Sequence, residues 1–150
     1  MTPIDQLDHL LDLGLAEETT TPVDDLRAHA RRLPESPAEA GAVLAVHPSV
    51  APPSRLAPLL RRSGKPGFVV VDMTDLDDFA PIEGVAVPDA PLYLLSGVDR
   101  GDDLRNWSPD EALPEILGRG RSPLTVGEGI GWLLQDPDRL EPNHCFMTIA

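Results

Sequence analysis

Apolar residues recur every three or four positions in two stretches near the start of the chain, which is the spacing of one helix face. The two sets are Ile4, Leu7 and Leu11, and Val23, Leu26, Ala30 and Leu33. Each stretch begins with threonine, proline, an apolar residue and aspartate, at 2–5 and 21–24, an order that favours a helix start. Gly14 can end the first helix and Pro34 the second. The pattern predicts an N-terminal helical hairpin over 1–35.

Apolar runs without polar alternation occur at 41–46 and 68–71, and such runs are typical of strands that are covered on both faces. A short helix is predicted between them over 55–62. This order predicts a βαβ unit over 41–71, with its two strands parallel and the crossover right-handed. Another apolar run, at 91–98, predicts a further strand.

Two helix-start signals in the second half of the chain are complete capping boxes, in which a hydroxyl residue is followed three positions later by glutamate. Ser108 and Glu111 form the first box, with Pro109 at the first helical position. Thr125 and Glu128 form the second. Each box predicts the start of a helix.

The last apolar run, Cys145–Ile149, also has strand character. Together the elements predict an α/β fold, a mixed sheet of three to five strands with flanking helices and the N-terminal hairpin. A chain of 150 residues has the size of one ordinary domain. We therefore expect a single domain over 1–150, in which the hairpin spans 1–35 and an α/β core spans 41–150.

The chain is strongly acidic, with 12 Lys and Arg against 25 Asp and Glu and a formal net charge of −13. Such a surface repels a polyanion, so nucleic acid is not an expected partner. The first ten residues contain no Lys or Arg, and no apolar stretch approaches the roughly 20 residues of a membrane-spanning helix. We therefore expect a cytoplasmic protein without membrane contact. The single cysteine excludes a disulfide within the chain.

Three long blocks of sequence carry a resemblance to a known family. From Leu59 the chain reads LLRRSGKPGFVVVDMTDLDDFAPIEGV, then PLYLLSGVDRGDDLRNWSPDEALPEILGRGRSPLTVGEGI, and close to its end NHCF. These blocks resemble an actinobacterial family of unknown function. The resemblance covers roughly Leu59 to Phe146 and implies no activity. Longer members continue past the cysteine with a tail rich in Gly, Trp and Cys, which this chain does not contain.

Four carboxylates fall within seven residues at the end of the second predicted strand: Asp72, Asp75, Asp77 and Asp78. Carboxylate oxygens at this density can bind Mg²⁺ or Ca²⁺. The spacing lacks the glycine and the distal glutamate of a calcium loop, and 74–78 is equally a helix start. We therefore expect no metal ion and no cofactor, with this cluster as the alternative metal site.

Charged and aromatic residues are concentrated between the strand predicted at 91–98 and the helix that follows: Asp99, Arg100, Asp102, Asp103, Arg105 and Trp107. In open α/β sheets ligands bind beyond the carboxyl ends of strands, which makes this loop the candidate ligand site. Arg100 and Arg105 could each bind a carboxylate or a phosphate, and Trp107 offers a flat wall. In the alternative, the arginines pair with the aspartates and lock the loop.

His144 and Cys145 suggest a thiol nucleophile, because a histidine can activate a thiolate. Adjacent residues of a strand point to opposite faces, however, so His144 is poorly placed to act on its neighbour. A lone cysteine beside Phe146 and Met147 is more often a small buried hydrophobe. We therefore expect a buried, unreactive Cys145 and assign no catalytic residue.

These observations favour a non-catalytic module that binds a protein or a small molecule, or that assembles. An uncharged strand at Cys145–Ile149 would favour a homodimer or a protein partner through its edge. The alternative is an enzyme of bacterial small-molecule (secondary) metabolism with its site at the Asp99–Trp107 loop. A regulatory, degenerate copy of a longer active relative is a third hypothesis.

Overall fold

The computed structural model describes residues 1–35 and 41–150. Its helices are α1 (Pro3–Leu13), α2 (Leu15–Glu18), α3 (Val23–Ala30), α4 (Pro53–Leu56), α5 (Pro109–Gly118) and α6 (Val126–Gln135). Its strands are β1 (Val43–Val46), β2 (Arg61–Arg62), β3 (Lys65–Pro66) and β4 (Leu92–Leu95). Single 3₁₀ turns lie at Ala57–Leu59, Leu76–Asp78, Asp102–Leu104 and Pro137–Arg139. Within these described ranges, no helix is long and apolar enough to cross a membrane.

Both predicted N-terminal helices form, and α1 packs against α3. The Thr2 hydroxyl accepts a hydrogen bond from the Asp5 N–H at 3.2 Å, and the Asp5 carboxylate accepts from the Thr2 N–H at 2.9 Å. The Asp5 carboxylate also accepts from the Thr2 hydroxyl, and this bond, followed by the bond from the Thr2 N–H, holds the pKa of Asp5 below its usual value. Gly14 ends α1 in the left-handed region at φ 112°, which glycine adopts without a steric cost. Thr21 was predicted to cap the second helix, but Pro22 occupies that position.

The two capping boxes predicted in the second half are confirmed. The Ser108 hydroxyl accepts from the Glu111 N–H, and the Thr125 hydroxyl accepts from the Glu128 N–H. Each glutamate in turn accepts from the backbone N–H of its partner, at 2.8 Å in both boxes. These interactions start α5 and α6 where the sequence predicted. The helix α5 continues through Pro114.

The predicted sheet of three to five strands is wrong. The structure contains two antiparallel sheets of two strands each within its described ranges, β1 with β4 and β2 with β3. The predicted βαβ unit over 41–71 is wrong as well, because 68–71 forms no strand and Phe68 and Val71 are 80% and 91% exposed. The first strand pairs instead with β4, with Val43 opposite Leu95. The strand-favouring sequence at 68–71 is therefore not sufficient to make this segment a partner of β1.

Side chains on both outer edges limit the β1–β4 sheet to two strands. The buried amide of Gln6 donates to the Ala42 carbonyl at 2.9 Å and accepts from the Leu44 N–H at 2.8 Å, on the outer edge of β1. His29 Nε2 donates to the Leu92 carbonyl at 2.9 Å on the outer edge of β4. Because these groups satisfy the backbone where a third strand would bind, the sheet needs no further strand.

The core lies where α1, α3, α4 and α6 meet the β1–β4 sheet. Seven leucines from α1, α2, α3, β1, α4 and β4 are almost completely buried there: Leu7, Leu10, Leu15, Leu26, Leu44, Leu56 and Leu92. The helix α6 lies over β1, and Gly131 approaches the Leu44 carbonyl. The N-terminal helices and the β1–β4 sheet therefore contribute to the same core.

The predicted C-terminal strand Cys145–Ile149 is wrong. This segment has no strand pairing; a single bridge joins Glu141 to His144 just before it. The segment lies against α6, where the Phe146 ring is 5.3 Å from the Trp132 ring between centroids. Side chains still alternate, so Phe146 is half-buried and Cys145 is exposed, which contradicts the predicted burial of the thiol. The strand edge that was to bind a partner does not exist.

Candidate functional site

The residues beyond β4 surround one open cavity of about 1090 Å³, which we call the loop cavity. Its walls are Tyr93–Trp107, parts of α5, Arg119–Leu124, Glu128 of α6, and the C-terminal segment from Asn143. All six residues predicted for a ligand site line it: Asp99, Arg100, Asp102, Asp103, Arg105 and Trp107. The structure therefore brings the predicted residues to one cavity.

Backbone turns that glycine and asparagine favour shape the loop. Gly97 and Gly101 have φ values of 62° and 78°, and Asn106 has a φ of 69°, a region that most side chains avoid. The Asp99 carboxylate accepts from the Gly101 N–H at 2.7 Å and closes a short turn before the 3₁₀ turn. The chain then enters α5 through the Ser108 cap. Arg105 and Trp107 therefore lie between two hydrogen-bonded structures, the Asp99–Gly101 turn and the Ser108 cap of α5.

Arg100 is a structural residue of the cavity wall, with only 9% of its side chain exposed. Its guanidinium donates to the Arg139 carbonyl, and it lies 2.7 Å from His144 Nδ1 and 3.5 Å from the Glu141 carboxylate. His144 Nε2 lies 3.2 Å from Asp102 Oδ1. The hydrogen bond to His144, and next the charge of Arg100, hold the pKa of Glu141 below its usual value. This network fastens the C-terminal segment to the loop.

Asp103 is held by Arg119, which follows α5. The Arg119 guanidinium lies 2.6 Å from the Asp103 carboxylate and 2.9 Å from that of Glu115. The hydrogen bond from Arg119 holds the pKa of Asp103 below its usual value. Within 1–35 and 41–150, neither Arg100 nor Arg105 forms a salt bridge with an aspartate of the loop. The alternative in which the loop pairs internally is therefore not found in this part of the chain.

Two arginines of the loop cavity keep unused donors. Arg105 is exposed, and no salt bridge neutralises its guanidinium among the residues that the structure describes. Arg121 donates to the Gly97 carbonyl and likewise has no salt bridge among them. The indole of Trp107, 42% exposed, lines the same cavity. Two available guanidinium groups and a flat apolar ring therefore share one space.

A buried acid and phenol, which sequence reasoning did not assign to the site, also line the loop cavity. Tyr93 of β4 and Glu128 of α6 are 6% and 7% exposed, and the Tyr93 hydroxyl donates to Glu128 Oε1 at 3.0 Å. Burial, and then the negative charge of Glu128, raise the pKa of Tyr93 far above its usual value. Glu128 was predicted only as the capping residue of α6. Its signal was that a single charged residue falls on a helix that is otherwise glycine and apolar side chains apart from Gln135 at its end.

The aspartates Asp72, Asp75, Asp77 and Asp78 do not form a metal centre. Among residues 1–35 and 41–150, no group of three or more His, Cys, Asp or Glu side chains is arranged to hold a metal ion. Asp77 accepts hydrogen bonds from the N–H and the hydroxyl of Ser54, at the start of α4. Asp77 therefore connects the exposed 68–79 segment to the start of α4.

The comparisons with known proteins give a family without a function. The model of a family of unknown function, DUF5701, matches residues 9–150. The chain belongs to this family. The match includes the block from Leu59 to Phe146 that carried the resemblance, and it extends through most of the N-terminal helices. No curated protein matches the chain, and no solved structure matches it.

Proposed function

We propose that this member of the family is a non-catalytic module that binds a small molecule in the loop cavity. The ligand carries an anionic group and a flat apolar part. One observation supports this most: Arg105 and Arg121, which have no salt bridge within the described ranges, line the same cavity as the half-exposed Trp107. Guanidinium groups bind carboxylates and phosphates through paired donors, and an indole stacks on flat apolar groups.

Basic side chains are also concentrated at this place. In a chain of net charge −13, four of the 12 basic residues line the loop cavity: Arg100, Arg105, Arg119 and Arg121. Arg100 and Arg119 are occupied by protein groups. The remaining two are the cations that a ligand can reach. The cavity volume of about 1090 Å³ is slightly above the range of about 300–1,000 Å³ for small-molecule sites.

Binding is favoured over catalysis because His144, the imidazole that lines the cavity, already faces protein groups on both sides. Both nitrogens of His144 face protein groups, Arg100 and Glu141 at Nδ1 and Asp102 at Nε2. A general base needs a free acceptor within reach of the substrate. The enzyme hypothesis therefore stays the alternative.

Calorimetric titration with 4-methylbenzoate tests the proposal, because this probe joins one carboxylate to one flat ring. We expect saturable binding with a dissociation constant of about 1 mM, since about 10 heavy atoms at roughly 0.4 kcal/mol each supply about 4 kcal/mol. Replacing the carboxylate by an alcohol, in 4-methylbenzyl alcohol, should abolish binding. Arg105→Gln and Arg121→Gln should each weaken binding about tenfold, because a hydrogen bond to a charged group contributes about 1.5–3 kcal/mol.

Arg32→Gln is the matched control, because Arg32 is exposed on the turn after α3 and does not line the cavity. This variant should bind 4-methylbenzoate as the parent chain does. Equal binding by Arg105→Gln, Arg121→Gln and Arg32→Gln would contradict the proposal, as would binding of the alcohol as tightly as of the carboxylate.

Several expectations from the sequence stand beside this proposal. The cytoplasmic location, the actinobacterial source and the missing Gly, Trp and Cys-rich tail stay predictions. A role in secondary metabolism stays one as well. Self-association also stays a prediction, and it has lost the C-terminal strand that was to support it. Sedimentation of the chain over a range of concentrations tests it directly.

A further inference from the structure

The carboxylate of Glu128 is a buried charge without a cation. Glu128 is 7% exposed. Its carboxylate accepts hydrogen bonds from the Tyr93 hydroxyl at 3.0 Å and from the Thr125 N–H at 2.8 Å. No Lys, Arg or His forms a salt bridge with it within residues 1–35 and 41–150. Burying a carboxylate is costly unless a cation compensates it.

The capping role of Glu128 does not explain a buried charge. The equivalent carboxylates of the other two capping boxes, Asp5 and Glu111, make the same bond to the backbone in solvent. Glutamine fills this position of a capping box as well as glutamate does. Among the three boxes, only that of α6 has its acid among the residues that line the loop cavity. The negative charge therefore serves something besides the helix start.

The cavity lining as a whole is charge-balanced, although the chain is strongly acidic. Four arginines line it together with four carboxylates, those of Asp99, Asp102, Asp103 and Glu128. Asp99 is used by a backbone turn, Asp102 faces His144 and Asp103 pairs with Arg119. These three aspartates are exposed, whereas Glu128 is buried, so Glu128 is the carboxylate of the cavity that a ligand cation would stabilise most.

We propose that Glu128, held by Tyr93, is the cation-binding end of the loop cavity, so that the ligand is amphoteric. Its anionic group binds Arg105 and Arg121, and an ammonium or similar N–H cation binds Glu128. A carboxylate offers about four acceptor positions, and protein donors occupy two of them. The remaining two accept the ligand N–H groups. This inference rests on the proposed function, because it concerns the opposite end of the same ligand.

Three related probes test the inference: 4-(aminomethyl)benzoate carries both charges, 4-methylbenzoate only the anion and benzylamine only the cation. We expect the amphoteric probe to bind about tenfold tighter than 4-methylbenzoate, as a charge-assisted hydrogen bond would supply. In Glu128→Gln this advantage, measured against 4-methylbenzoate in the same variant, should fall to less than about threefold. The isomer of the amphoteric probe, 3-(aminomethyl)benzoate, extends the test to a shorter separation between the two charges.

Tyr93→Phe provides a second test, which does not depend on whether Glu128→Gln folds. It leaves the carboxylate in place and removes one competing donor, so the advantage of the amphoteric probe should persist within about threefold of the parent value. Loss of the advantage in this variant contradicts the inference. So does an advantage that survives in Glu128→Gln, or its absence for both isomers in the parent chain.

The two proposals fail in distinguishable ways. If 4-methylbenzoate binds through Arg105 and Arg121 but the added ammonium gives no gain, the inference is wrong and the proposed function stands. If benzylamine binds and Glu128→Gln abolishes its binding, while 4-methylbenzoate does not bind, the cation end is supported and the anion site is wrong. If no probe binds the parent chain, both are contradicted.

Discussion

The helices around the β1–β4 sheet and the segments beyond it are stabilised in different ways. Near the sheet, seven almost completely buried leucines pack together, and Gln6 and His29 satisfy the strand edges. Beyond the sheet, large apolar side chains such as Phe68, Val71 and Phe79 are exposed. Salt bridges and backbone turns hold the loop cavity there. One region is fixed by burial, and the other by polar contacts.

This difference separates the scaffold from the site. A packed core resists local opening, whereas a wall held by exposed polar contacts opens at a lower free energy. Ligand-binding loops are typical of the second kind and need the first for support. The fastening of the C-terminal segment by Arg100 and His144 joins the two regions, because the same segment also packs on Trp132 of α6.

The largest effect is expected for truncation in the core. Leu44→Ala removes a completely buried side chain and should lower the free energy of unfolding by about 2–5 kcal/mol. Leu117→Ala, at a leucine of α5 that is 50% exposed, should change it by less than about 1 kcal/mol. Urea unfolding followed by circular dichroism measures both. Similar losses in the two variants would contradict the division between the regions.

An intermediate effect is expected at the contact between α6 and the C-terminal segment. A Cβ at Gly129 would lie 2.5 Å from Thr148 Cγ2, whereas a Cβ at Gly118 of α5 meets nothing within 4 Å. Gly129→Ala should therefore destabilise the chain by about 1 kcal/mol net, since overpacking costs more than the gain in helix propensity. Gly118→Ala should stabilise it by up to about 1 kcal/mol.

Thr148→Ala combined with Gly129→Ala is the rescue experiment, because it removes the methyl group that the new Cβ would contact. The double variant should recover most of the loss in thermal unfolding. If it is as unstable as Gly129→Ala alone, the C-terminal segment does not pack on α6 as described.

The smallest expected effect on stability at neutral pH is that of the Tyr93 phenol, which becomes visible only at high pH. Its folded-state pKa is raised, chiefly by burial and next by the charge of Glu128, so the folded chain holds the phenol proton more tightly than the unfolded chain does. The stability contribution is complete below the ordinary tyrosine pKa of about 10 and is lost as the pH rises above it. Tyr93 is the single tyrosine, so phenolate absorbance should appear together with unfolding. Phenolate absorbance in the folded chain near pH 10 would contradict the burial.

Helix starts could be predicted from the sequence because their determinants are local. The boxes Thr125–Glu128 and Ser108–Glu111 and the pair Thr2–Asp5 each satisfy backbone groups within four residues. The β4 strand was predicted as well, within the run 91–98. Nothing beyond neighbouring side chains is needed for these elements.

Strand pairing and burial could not be predicted in the same way. The edge of β1 is occupied by Gln6, 38 residues away from Leu44 in the chain, and no local pattern announces this contact. The apolar run at 68–71 was wrongly predicted to form a strand for the same reason, because a strand forms only where another strand pairs with it. Cys145 was misjudged because its exposure depends on how the segment lies on α6.

The loop residues of the candidate site could be predicted from the sequence, but its buried pair, Tyr93 and Glu128, could not. The composition of 99–107 marked the loop, and its six predicted residues line one cavity. Tyr93 and Glu128 become part of the site only because α6 lies over β1, the partner strand of β4, and the two side chains meet. The partners of Arg100 and Asp103 lie 16 to 44 residues away in the chain, which local charge patterns do not encode.

Amide NMR spectra recorded during titration with 4-methylbenzoate test the central claim most directly, because they locate binding on the chain. The account predicts saturable shifts at Gly101, Arg105 and Arg121 and at the indole N–H of Trp107. The amides of Leu7 and Leu26 in the core should stay unchanged. Shifts confined to the core helices, or no saturable shift at the loop cavity, would contradict it.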